Sequence, residues 1–145
     1  MSQTTTNEIS KQTKLTRSSK LFKTIINAIF DKKGENVISL DLRKIDEAVA
    51  DYFIICEATT NTQVKAIADA IQTDVWNICE EDVFRTEGYK DANWILVDYA
   101  NVVIHIMQPN ARKYYQLEEM WSDAGFTEHT DSPKIVKSTK TIKAK

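Results

Sequence analysis

Glycine, proline and cysteine are scarce in this 145-residue chain, at three, two and two residues. So few Gly and Pro argue against a turn-dense all-β fold, because tight turns draw on those residues. Cys56 and Cys79 form no C-x-x-C pair, and no histidine cluster lies near them. A disulfide framework and a structural zinc site are both disfavoured, and a reducing compartment fits. No apolar run approaches the ~18 residues of a membrane-spanning helix. The opening Met1-Ser2-Gln3-Thr4-Thr5-Thr6 lacks an apolar signal segment, so secretion is not expected. The bacterial cytoplasm is the expected location, with no membrane partner.

The motifs of common chemistries are missing as well. There is no G-x-x-x-x-G-K, G-x-G-x-x-G or G-x-S-x-G, so phosphate-loop, dinucleotide and hydrolase-elbow mechanisms lack their backbone features. The two histidines, His105 and His129, are far apart. Metal-dependent nucleotidyl transfer needs two or three carboxylates on neighbouring strands. Asp98 stands alone, with Leu96 where a D-x-D partner would sit, and Asp41 and Asp51 lie elsewhere. No metal, cofactor or catalytic residue is assigned.

What is present is an uneven charge distribution. The net charge of −2 combines two basic ends with an acidic body. Lys11, Lys14, Arg17 and Lys20 oppose only Glu8, and five lysines after residue 127 oppose Glu128 and Asp131, each end summing to +3. Residues 21–126 therefore carry about −8. Both ends are rich in Ser, Thr, Lys and Gln, a composition that buries too little to offset its ordering entropy. The expected organisation is a disordered tail over 1–19, a folded domain over 20–126 and a disordered Lys-rich tail over 127–145. The acidic body would attract basic proteins; the tails could touch an RNA phosphate backbone weakly and in a salt-dependent way.

Within the domain, Phe22, Ile25, Ile26, Ile29 and Phe30 recur at helical spacing, with Gly34 as a stop. Val37–Leu42 and Tyr52–Cys56 read as strands, the second buried on both faces. Thr60 and Gln63 match a capping box. A helix follows to about Cys79 on Val64, Ile67, Ala68, Ile71, Val75 and Ile78. Phe84–Glu87 reads as a short strand before a Gly88 turn, and Asn110–Trp121 as a last helix. The order α-β-β-α-β-β-β-α implies an α/β fold, a mixed β-sheet with flanking helices.

The richest segment is Trp94–Met107, two β-prone runs about Ala100-Asn101, which reads as a hairpin. That turn sets Tyr99 against Val102, Val97 against Ile104 and Ile95 against Ile106, a wholly apolar face that belongs under helices. Alternation then collects Trp94, Leu96, Asp98, Val103, His105 and Met107 on the other face. Two readings stay open. A second layer covers this face, with His105 held by Asp98 or a backbone group; or it is an exposed apolar patch with a polar edge, built to bind protein.

At these residues a family becomes recognisable. Ser39-Leu40-Asp41-Leu42, Ala50–Cys56, Gln63–Asp69, Glu87-Gly88, Trp94–Tyr99, Val103–Met107 and Arg112–Trp121 together resemble the Iojap-like ribosomal silencing factors (RsfS). The resemblance implies a nucleotidyltransferase-like fold without metal-binding acids. It further implies a non-enzymatic translation repressor that binds ribosomal protein fourteen of the large ribosomal subunit and sterically blocks subunit joining under nutrient limitation. The partner-binding residues it implies are Trp94, Leu96, Asp98, His105 and Met107, the last two added through the hairpin pairing. Arg112, Tyr115 and Glu118 match the family's last-helix motif. The usual Gly- and Arg-bearing turn after the second strand appears as Ala58-Thr59-Thr60-Asn61-Thr62, which puts any contact of that Arg in doubt. A degenerate nucleotidyltransferase using Asp98 is the alternative, and an exposed apolar face would equally support a homodimer.

Overall fold

The computed structural model describes residues 19–131. The sequence-predicted tails therefore lie outside the described residues except for residue 19 and residues 127–131. Helix α1 spans 19–31 and strand β1 Glu35–Asp41; β2 is Tyr52–Glu57 and helix α2 Asn61–Cys79. Strands β3 (Arg85–Glu87), β4 (Trp94–Asp98) and β5 (Val102–Met107) follow, then helices α3 (Pro109–Tyr115) and α4 (Leu117–Met120), and β6 (Gly125–His129). The six strands form one mixed sheet in the order β3-β4-β5-β2-β1-β6. Only β2 and β5 pair in parallel, which the α2 crossover permits.

Helices α1 and α2 cover one face. Leu21, Ile25, Ala28 and Ile29 of α1 and Val64, Ile67, Ala68, Ile71 and Val75 of α2 meet Val37, Ile54, Cys56, Ile95, Val97, Ile104 and Ile106. The helical spacing of the first two sets and the alternation of the third are what bring them together. Helix α1 ends with Lys33, not Gly34, in the left-handed region at φ 66°. Gly34 N–H donates to the Ile29 carbonyl and Lys33 N–H to Phe30, a Schellman closure. Gly34 is required for close packing, since a Cβ there would collide with the Ile29 side chain.

The expected capping box is half formed. Thr60 Oγ1 accepts from Gln63 N–H at 3.1 Å, but the Gln63 side chain does not reach back to Thr60. Its Nε2 donates instead to the Lys32 and Lys33 carbonyls, binding the end of α1 to the start of α2.

Two further departures concern the chain after β5. The single helix expected over Asn110–Trp121 is broken at Gln116, which is left-handed at φ 48° and caps α3. Pro109 occupies the first turn of α3, where its missing N–H leaves no unmet bond. The ordered chain also runs past residue 127, because β6 pairs antiparallel with β1 from Val37↔His129 to Asp41↔Gly125. Ser39 Oγ and His129 Nε2 share a hydrogen bond of 2.9 Å, and the Phe22 ring packs on His129. The element order is thus α-β-β-α-β-β-β-α-α-β.

Candidate functional site

The β4–β5 hairpin has the register its sequence implies: Trp94↔Met107, Ile95↔Ile106, Leu96↔His105, Val97↔Ile104 and Asp98↔Val103. Its turn carries one left-handed residue, Ala100 at φ 72°. Asp98 Oδ1 accepts from Ala100 N–H at 2.7 Å, which holds the strained residue in place. The face away from α1 and α2 carries Trp94, Leu96, Asp98, Val103, His105 and Met107, as alternation requires.

That face is not an open patch. Phe53 and Ile55 of β2, Ile38 and Leu40 of β1, and Ala111 and Leu117 from α3 and α4 join Val103 and Met107 in a second core. Met107 is 0% exposed, His105 5% and Asp98 9%. None of the three offers appreciable surface as the helices lie. Only Trp94 and Leu96 of the five remain half-buried, packed at the margin of this second core.

The covering helices are anchored by one arginine. Arg112 of α3 donates through Nη1 to the Asn36 carbonyl at 2.6 Å and to Glu57 Oε1 at 3.2 Å. Its Nε donates to Glu118 Oε2 of α4 at 2.9 Å. With its side chain only 12% exposed, this guanidinium ties both helices to the β1–β2 side of the sheet. Arg112 and Glu118 are therefore packing residues. Tyr115 is not: it is 48% exposed and its ring lies 4.7 Å from Trp94. Tyr114, 79% exposed, stands edge-on to Tyr115 at 4.9 Å.

The aromatic contacts form one continuous run through the second core, with partly buried Trp121 at one end and the exposed tyrosines at the other. Trp121 meets Phe53 at 5.8 Å, Phe53 meets His105 at 4.7 Å, and His105 meets Trp94 at 5.8 Å, after which come the two tyrosines. The neighbouring rim is charged. Arg85 donates to Asp98 Oδ2 at 3.2 Å and pairs with Glu87, the residue opposite Leu96. Sequence reasoning missed Tyr114, Arg85 and Glu87. A signal existed for the first, since adjacent tyrosines on one helix cannot both face a core.

Chemically, the titratable groups of this face are either engaged or buried. Both Asp98 oxygens are engaged, by Ala100 and Arg85. Burial lowers the His105 pKa to about 4, against a weaker upward pull from Asp98. The Cys56 thiol, wholly buried, is pushed up to about 12 and is inert. Among the described residues no group of three His, Cys, Asp or Glu side chains is placed to hold a metal ion. Among them, too, no helix is long and apolar enough to cross a membrane.

Comparison with known proteins is consistent across the domain. The family described as "Ribosomal silencing factor during starvation" matches residues 15–145, extending beyond the Trp121 limit of the motif resemblance. The ribosomal silencing factor RsfS of Bacillus subtilis is 43% identical over 96 residues, 65% of this chain and 78% of that protein. The RsfS of Halalkalibacterium halodurans is 37% identical over 107 residues, 72% of this chain and 87% of its own length. A crystal structure of a Chromobacterium violaceum protein superposes with a TM-score of 0.68 at 34% identity, covering 72% of this chain and 85% of that one.

Proposed function

The chain belongs to the ribosomal silencing factor family, whose members regulate translation on the ribosome, and from that premise we propose that it is a non-enzymatic anti-association factor. It binds the large ribosomal subunit through ribosomal protein fourteen and sterically blocks the joining of the small subunit, repressing translation under nutrient limitation in the bacterial cytoplasm. The observation that carries this reading is the half-buried Trp94, flanked by Leu96 and Tyr115 and bordered by the Arg85–Glu87 pair. An aromatic anchor ringed by polar groups is how protein-binding hot spots are built. Of the five residues expected to bind, Trp94 and Leu96 make the contact, joined by Tyr114 and Tyr115. Asp98, His105 and Met107 act from beneath.

The test is co-sedimentation with large subunits. Trp94→Ala combined with Leu96→Glu should leave the far-UV spectrum unchanged and weaken binding about thirtyfold or more, since a buried Trp anchor contributes about 2 kcal/mol or more. Normal binding by the folded double variant removes the surface. The nucleotidyltransferase alternative finds no support in Asp98, whose oxygens accept from Ala100 and Arg85. Calorimetry with nucleoside triphosphate and magnesium should give no heat that Asp98→Asn abolishes.

A further inference from the structure

Resting on the docking role of Trp94, we propose that His105 is its positioning residue, holding the indole N–H inward so that a partner protein meets the carbon edge of the ring. The two side chains share a face of the hairpin, His105 opposite Leu96 and diagonal to Trp94. Trp94 Nε1 donates to His105 Nδ1 at 3.1 Å. Indole is a donor only, so Nδ1 must be the unprotonated nitrogen and the neutral ring carries its proton on Nε2. That Nε2 is buried and has no hydrogen-bond partner. A buried orphan donor is unfavourable, and an apolar side chain here would avoid it. Accepting the Trp94 N–H is the one hydrogen bond the imidazole makes among the described residues.

The ring cannot turn away from this task easily. Phe53 packs edge-on to it at 4.7 Å and is itself backed by Trp121. On the outer side Tyr115 lies against the indole. Trp94 is thus gripped between a buried acceptor and a surface ring, which removes rotamer freedom that binding would otherwise have to remove. With its only donor directed inward, the exposed part of the indole requires no acceptor from the partner; it selects a carbon-lined surface on a protein.

Four measurements on the full chain test this. In wild-type protein at neutral pH, nitrogen-15 NMR should show His105 as the Nε2–H tautomer; an Nδ1–H tautomer overturns the proposal. His105→Phe should shift the Trp94 indole N–H resonance, speed its solvent exchange and weaken large-subunit binding about fivefold, the equivalent of one ordinary hydrogen bond. His105→Asn, whose Oδ1 falls near the place of Nδ1, should restore both the resonance and most of the affinity. In a Trp94→Phe background His105→Phe should change affinity no further; an equal loss there reduces His105 to a packing residue. An unchanged indole resonance in folded His105→Phe also overturns it. If Trp94→Ala itself binds normally, the docking reading fails instead, while the tautomer and exchange measurements still report on the His–Trp bond.

Discussion

At the scale of single residues, His105 couples the second core to pH. Burial depresses its pKa to about 4 from the ordinary 6.5. Between those values the unfolded chain binds a proton that the folded chain excludes. The contribution of neutral His105 is therefore complete above about pH 6.5 and is lost as pH falls toward 4, by up to about 3 kcal/mol. Urea midpoints measured from pH 7 to pH 4 should fall more steeply for the wild type than for His105→Asn. A constant difference between the two curves would contradict the buried, neutral ring. Met107 teaches a related lesson. Its cross-strand partner Trp94 is half-buried, yet Met107 is sealed beneath the covering helices. A charge placed there would test folding, not docking.

At the scale of elements, the start of β4 depends on the turn that precedes it. Gly88 adopts φ 94°, and a Cβ there would collide with the Trp94 carbonyl oxygen. The Gly88 carbonyl accepts from Ala92, itself left-handed at φ 53°. Gly88→Ala should destabilise the fold by about 2 kcal/mol, the scale of a residue forced into a strained conformation. Because the collision falls on the Trp94 backbone, large-subunit binding should weaken beyond what the lost stability explains. Chemical denaturation and co-sedimentation of the same variant separate the two effects, and wild-type values in both would show that the turn does not hold the tryptophan. The strand β6 belongs to this scale as well. Any truncation meant to probe the Lys-rich end must begin after residue 131, because Gly125–His129 completes the sheet against β1.

At the scale of the whole molecule, charge governs the approach to a partner. The body between the two basic ends carries about −8 in formal charge, and a long-range field of that sign speeds encounter with a basic protein. Association with large subunits should slow as salt rises, since the Debye length falls from about 10 Å at 0.1 M to about 3 Å at 1 M. Stopped-flow rates across that range check it; a rate indifferent to salt would leave the acidic body without a part in recognition. Dissociation, which the proposed Trp94 anchor would govern, should change less.

What is local and periodic was readable along the chain. The register of β4 against β5 was legible because a tight turn and strict alternation leave one pairing that buries Ile95, Val97, Ile104 and Ile106 together. The helix α2 was legible from its apolar spacing and its Thr60 cap. Tertiary structure decided the rest. Whether the opposite face of the hairpin meets water depends on where α3 and α4 lie, and that rests on a left-handed Gln116 and on Arg112 reaching Asn36, 76 residues away. No periodicity encodes such a contact. Strand β6 was hidden for a similar reason: its residues are mostly exposed, and its backbone pairs only with β1, some 90 residues earlier. Patterns along a chain report which faces are apolar; which of them stay open is set by the distant segments that pack across them.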